Sequence, residues 1–212
     1  MSVASAILQA TPSRSARAAR TRERLLDSAG ERFAANGFAK TTVEEIAHRA
    51  GVSKGLVYHH FRSKDELLRA VLDRTLAEWD AVTARAGLDS APSVVAALSA
   101  MQRDTLRWAR RRPVVLAIVR LDPMVLMAVG REAVLSALDT FRTRIVRGLE
   151  AGVTSGELRA DVDVARLADL LAMLHLAFVE HLLEPEWIDA PDEALVDATF
   201  DALVRGIARR DS

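Results

Sequence analysis

The first chemical suggestion in this sequence is a cluster of four residues. Lys54, Gly55, Tyr58 and His59 follow Ser53, a residue type that caps helix starts. An ammonium group in a first helical turn can donate to guanine O6 and N7, or to a phosphate oxygen. The sequence leaves both destinations open for Lys54. Gly55 lets the backbone come close to a partner, and Leu56 can pack inward or meet a thymine methyl. Thr42, further upstream, offers a hydroxyl and helix-start N–H groups to an anion. All of this is binding chemistry. Glu45-Ile46-Ala47-His48 has the E-x-x-H spacing of di-iron bundles, but those sites need a second such motif and two further glutamates on long facing helices. His175, Glu180 and His181 suggest a metal site, yet the two histidines are six residues apart, about 240° around a helix, and do not share a face. The sequence has no Cys, no Gly-rich phosphate loop and no G-x-S-x-G. We therefore expect no catalytic residue, no metal and no cofactor, and a chain that is not an enzyme.

The elements that must position Lys54 and its neighbours are two short helices and a tight turn. Thr42 reads as an N-cap, with Glu45 completing a capping box. Val43, Ile46 and Ala47 make one apolar face at helical spacing, and Ala47 is small enough for a second helix to approach. Gly51 stands where the chain turns and φ is expected to be positive. Val52 plugs the corner, and the second helix buries Val57 and Phe61. Together these mark a helix-turn-helix, a unit that places its second helix in the DNA major groove.

The run Thr41-Thr42-Val43-Glu44-Glu45-Ile46-Ala47, followed by Gly51-Val52-Ser53-Lys54-Gly55-Leu56-Val57-Tyr58-His59-His60-Phe61-Arg62-Ser63-Lys64, resembles the DNA-binding signature of the tetracycline-repressor (TetR) family. The resemblance covers about the first 70 residues; beyond them only helix count and pattern are similar. It implies DNA contacts at Thr42, Ser53, Lys54, Gly55, Tyr58, His59 and Lys64, with Thr42, Tyr58 and Lys64 matching phosphate-contacting positions. It also implies a homodimer built on two carboxy-terminal helices.

Composition agrees with a helical DNA binder. The 212 residues include only ten Gly and six Pro, and Ala, Leu and Arg dominate. Net charge is zero but unevenly spread. Residues 1–64 hold eleven Lys and Arg against five Asp and Glu, while residues 65–212 hold eighteen against twenty-four. A basic amino-terminal unit on an acidic body suits a nucleic-acid partner at one end. No stretch reaches the roughly 20 apolar residues that span a bilayer, and Met1–Gln9 lacks the charge order of a secretion signal. A cytoplasmic protein without membrane contact is expected.

Taken in order, residues 1–19 read as a flexible basic arm, either touching DNA or simply solvated. Residues 20–62 read as the helix-turn-helix domain, and residues 63–212 as a ligand-binding and dimerisation domain. The first helix is expected over 20–35, stopped by Asn36-Gly37. Ser63, with Glu66 as a second capping box, starts a long helix to about Ala86 that joins both halves rigidly. Pro92 is placed in the first turn of the next helix, and Arg110-Arg111-Arg112 reads as a cationic helix end. The segment 162–183 is apolar on nearly every side and needs a partner subunit to cover it.

The expected architecture is all-α, about nine helices: an amino-terminal three-helix unit and a larger carboxy-terminal helical body. Trp79, Met101, Trp108, Met127, Phe141, His175 and Phe178 are candidate linings of an apolar ligand pocket. The function expected is a transcriptional regulator, a repressor that binds double-stranded operator DNA and is released from it by a small hydrophobic effector. The alternative is a DNA-anchored adaptor that binds a protein and no ligand.

Overall fold

The computed structural model describes residues 13–183 and 193–207. Among them there are ten helices and no strand: α1 (Arg14–Lys40), α2 (Val43–Ala50), α3 (Lys54–His60), α4 (Lys64–Ala84), α5 (Val94–Ala109), α6 (Val115–Val119), α7 (Pro123–Val129), α8 (Arg131–Ser155), α9 (Val164–Leu183) and α10 (Glu193–Ile207). That is one more than the nine expected, because Gly130, at φ 84°, separates α7 from α8. No helix of the described residues is long and apolar enough to cross a membrane.

The start of the chain differs from expectation. Residues 14–19, assigned to a flexible arm, are helical, because Ser13 accepts the N–H of Ala16 and caps α1. Residues 1–12 lie outside the described region. Gly37 does break α1, at φ 74°, but a last helical stretch resumes to Lys40.

Two apolar cores organise the molecule. The first is built from Leu25, Leu26, Ala29 and Phe33 of α1, Val43, Ile46 and Ala47 of α2, Val57 of α3, and Leu67, Leu68, Val71 and Leu72 of α4. Val114, Val125, Val129 and Val134 from the carboxy-terminal body complete it, so the helix-turn-helix shares its core with that body. The second core joins Leu98, Met101 and Leu106 of α5 with Phe141, Ile145 and Leu149 of α8 and Ala168, Leu171 and Val179 of α9. α4 serves both cores, with Leu72 in the first and Trp79 packed against the second.

Close packing in the second core depends on two glycines of α8. A Cβ on Gly148 would lie 2.6 Å from Leu88 Cβ, and one on Gly152 would lie 2.6 Å from Val94 Cγ1. α5 begins at Val94, capped by Ser93, so Pro92 precedes the helix instead of opening it. Glu157, beyond α8, accepts from the N–H of Val94 at 2.8 Å and the hydroxyl of Ser93 at 2.6 Å. A carboxylate there satisfies orphan donors and meets the positive end of α5.

Among the described residues, α9 is buried along one side. Ala168, Leu171, His175 and Val179 are buried, whereas Leu170, Met173 and Ala177 face outward. α10 exposes Ala194, Leu195, Ala198 and Ala202. The side chains of Val196, Phe200 and Ile207, expected on its apolar stripe, lie outside the described residues.

Candidate functional site

The reading unit forms as the short-range signals require. Thr42 Oγ1 accepts the N–H of Glu45 at 3.2 Å, and Glu45 Oε2 accepts the N–H of Thr42 at 2.8 Å. Gly51, at φ 65°, turns the chain in the left-handed region, and its N–H donates to the His48 carbonyl. Ser53 Oγ accepts the N–H of Leu56 at 3.2 Å and starts α3. Val57 anchors α3 inward, and Phe61, just past its end, is also buried. Ser53, Lys54, Gly55, Tyr58 and His59 are left exposed together, with Thr42 exposed at the start of α2.

Two of these cations have partners within the protein. Lys54 Nζ pairs with Glu44 of α2 and lies 5.8 Å from the centre of the Tyr58 ring. The hydrogen bond from Lys54 holds the Glu44 carboxyl below its usual range. Lys64 Nζ donates to the carbonyls of Phe38 and Thr41, at 2.8 and 2.9 Å, and sits 4.2 Å from the Phe38 ring centre. Lys64 thereby fastens the start of α4 to the end of α1, keeping one of its three N–H groups for another acceptor. Glu66 accepts from the N–H of Arg62, not Ser63, so the expected second capping box is displaced by one residue. His60 is half-buried, and its pKa is lowered, mainly by burial, with smaller repulsion from His59 and Arg22.

Between the two cores lies an apolar cavity of about 120 Å³. Thr75, Leu76 and Trp79 of α4 form one wall, and Leu176, His175 and Val179 of α9 face them. Val115, Ile118 and Val119 of α6, Trp108 of α5, and Val134 and Leu138 of α8 close it. Every polar side chain in this lining already has a protein partner. Thr75 donates to the Val71 carbonyl at 2.7 Å, and Trp108 Nε1 donates to Glu78 Oε2 at 3.0 Å. Trp79 Nε1 donates to His175 Nε2 at 3.2 Å. An indole N–H can only donate, so Nε2 is the bare nitrogen and Nδ1 carries the proton toward Gln102 Oε1, 2.7 Å away. Burial pushes the His175 pKa down to about 3, which keeps the ring neutral.

Of the seven candidate lining residues, the structure brings Trp79, Trp108 and His175 to this cavity. Phe141 stands directly behind, its ring 5.0 Å from Trp79 and 4.5 Å from His175. Met101 is plain core, and Phe178 packs half-buried against that core. Met127 is far from a lining position: it is 88% exposed on α7. A seven-residue helix makes too few turns for its apolar face to be read from spacing. His175, Glu180 and His181 go to separate environments, since Glu180 pairs with Arg120 at 3.0 Å and His181 is exposed.

Sequence reasoning missed a charged cluster beside the cavity. Glu78 receives Arg112 Nε at 2.7 Å and Nη2 at 3.1 Å besides the Trp108 N–H. Burial raises the Glu78 pKa, but hydrogen bonds from Arg112 and Trp108 and the charges of Arg112 and Arg74 outweigh it, leaving it low. Arg74, one turn earlier, reaches Glu23 at 3.0 Å and Asp27 at 2.9 Å on α1. Arg112 is therefore an ion-pair partner of α4 and α1, not only a cationic helix end.

The comparisons with known proteins agree with this architecture. The sequence profile of bacterial regulatory proteins of the tetR family matches residues 25–71. The transcriptional repressor KstR2 of Rhodococcus jostii is 38% identical over 148 residues, covering 68% of this chain and 70% of that protein. The structure of SmeT, repressor of the Stenotrophomonas maltophilia multidrug efflux pump SmeDEF, superposes with a TM-score of 0.68 at 25% identity, over 89% of this chain and 90% of that one. Its triclosan complex gives 0.70 at 26%, over 90% and 92%. The ketosteroid regulator KstR2 of Mycobacterium tuberculosis, 23% identical, shares the fold, with a TM-score of 0.67 over 89% and 95%. By sequence and by fold, this chain belongs to the TetR family of bacterial transcriptional regulators.

Proposed function

We propose that this regulator occupies a palindromic operator as a homodimer and leaves it when an uncharged hydrophobic effector enters the cavity beside Trp79, Trp108 and His175. Its family consists of DNA-binding regulators rather than enzymes. The observation that carries the effector reading is the cavity itself: apolar, set between the two cores, and walled by the same helix that begins at the reading head. Its polar lining groups are already paired, so a charged ligand would find no partner there. SmeT, the relative captured with triclosan, supports an aromatic hydrophobe as the ligand class.

Size supplies the signal. An apolar cavity of this order holds about one benzene-sized ring. Anything larger must push Trp79 or Trp108 aside, and Trp79 belongs to α4. Two reading heads on a rigid dimer must keep their spacing near one helical turn of DNA, so a small swing of α4 spoils one half-site. Ligand and DNA then oppose each other through differential affinity for two conformations.

For the DNA side, Lys54 and Gly55 are assigned to base edges, and Thr42, Ser53, Tyr58, His59 and Lys64 to the phosphate backbone. For assembly, the outward stripe Leu170, Met173 and Ala177 on α9, with α10 beside it, is assigned to the partner subunit. Met173→Asp should yield monomers in ultracentrifugation, and a monomeric unmodified protein at micromolar concentration would remove the dimer.

The decisive experiment measures operator affinity with triclosan, a polycyclic ketone, a long-chain fatty acid and a sugar phosphate. The first two should weaken operator binding and the sugar phosphate should not. If no compound changes it, the effector reading fails and the adaptor reading takes its place.

A further inference from the structure

We propose that Glu78 is the coupling residue between cavity and reading head, passing displacement of Trp108 through Arg74 and Arg112 to Glu23 and Asp27 of α1. This rests on the proposed effector binding, which places the ligand against Trp108. Trp108 is a cavity-lining residue whose hydrogen-bond acceptor is charged, and that acceptor is Glu78. Glu78 simultaneously takes two donors from Arg112, whose Nη1 stands 3.6 Å from Asp27. Arg74 Nε stands 3.6 Å from Glu78 Oε1, while the other two nitrogens of the same guanidinium hold Glu23 and Asp27.

The sharing of cations makes the cluster responsive. Arg74 serves Glu23, Asp27 and Glu78, and Arg112 serves Glu78 and Asp27, with Arg22 beside Glu23 alone at 3.8 Å, so neither shared cation is spare. When Trp108 swings away, Glu78 loses a neutral donor and must draw more strongly on Arg112 and Arg74. Those cations then bind the α1 carboxylates less well. Arg74 is only 15% exposed and Glu78 28%, so the redistribution is not fully screened, unlike that of an ordinary surface pair. α1 packs against α2, and α2 leads into α3, so a changed hold on α1 alters how the exposed face of α3 is presented. Arg74 Nε, buried without a full hydrogen bond, is the slack position that closer approach by Glu78 would fill.

A double-mutant cycle read on DNA affinity tests this without any ligand. The duplex is selected from random sequence by repeated capture on the unmodified protein. Trp108→Phe deletes the indole N–H and keeps an aromatic wall. It should change the dissociation constant for that duplex by about threefold or more. In the Glu78→Gln background the same change should shrink to less than about 1.5-fold. Asp27→Asn, on a carboxylate about half exposed, should give the same loss of effect and serves if Glu78→Gln fails to fold. A Trp108→Phe effect that is absent in the parent, or equal in all backgrounds, overturns the proposal and leaves α4 packing as the carrier. The neutral fluorophore N-phenyl-1-naphthylamine separates this from the effector reading. If neither it nor any compound of the panel changes the parent's DNA affinity while the cycle remains coupled, the effector reading fails and the Glu78 connection stands.

Discussion

The reading head and the cavity treat polar groups in opposite ways. On α3 Lys54, Tyr58 and His59 are turned outward, and Tyr58, the largest of them, is 46% exposed. Around the cavity, the indole N–H groups of Trp79 and Trp108, both His175 nitrogens and the Thr75 hydroxyl are bonded within the protein. Polar groups at the solvent surface, even where paired as Lys54 is with Glu44, can be turned to a charged, hydrogen-bonding partner; groups bonded around the cavity suit a partner that asks for none. The two surfaces therefore fit the two partners proposed above, operator DNA and an uncharged hydrophobe.

The largest effect should come from making the cavity resemble the head. Val179→Asp, at a wall position 2% exposed, buries an unpaired carboxylate and should cost about 4 kcal/mol or more of stability. His59→Asp, on exposed α3, should leave the unfolding midpoint nearly unchanged and abolish DNA binding through repulsion from phosphate. Chemical denaturation and DNA titration of both variants check the contrast; equal stabilities would erase it.

Next in size, Lys54→Ala should lose about 1–3 kcal/mol of discrimination at one base position. An operator-variant series reads this directly. A uniform loss across all variants would move Lys54 to the phosphate backbone.

The buried His175 adds a pH dependence from the cavity wall. Its folded pKa, near 3, lies below the ordinary 6.5, so the unfolded chain binds the proton more readily. Stability from this group is complete above pH 6.5 and declines as pH falls from 6.5 toward 3. The slope should approach about 1.4 kcal/mol per pH unit well inside that window. His175→Gln should flatten the difference between denaturation curves at pH 7 and pH 5.

The smallest effect expected is at Thr42. Thr42→Ala removes the acceptor for the Glu45 N–H and should cost about 1 kcal/mol. Operator affinity should fall by more than that loss alone produces if the hydroxyl also meets a phosphate.

The two regions also differ in how far sequence reveals them. The head is legible because its determinants are local. Thr42 with Glu45, Gly51 with Ala47, and Ser53 with Leu56 all act within four residues. The cavity is assembled across long separations, such as Trp79 with His175, 96 residues apart, and His175 with Gln102, 73 apart. Helical periodicity finds apolar faces there but cannot tell which of them meet, so residue type alone groups Met101 and Met127 with Trp79. The Glu78 cluster leaves no trace in the sequence, since Glu78 belongs to no motif and Arg112, 34 residues on, sits in a triplet that reads as a cationic helix end. Ser13 is the reverse case: a cap signal is present, and its low-complexity surroundings hide it.

The ion pair between Lys54 and Glu44 has a bearing on how the protein searches a genome. An unengaged lysine would cling to any duplex it met. Here the ammonium arrives already held by a carboxylate of the neighbouring helix. Contact with a random sequence must first part that pair and bring Glu44 toward a phosphate, which raises the energy of every non-cognate encounter. With Lys54 at a base edge, as proposed, a base acceptor at the cognate site would offset the loss. Such internal competition shortens the dwell time on wrong sequences more than on right ones, so discrimination is gained from faster departure, not from tighter grip.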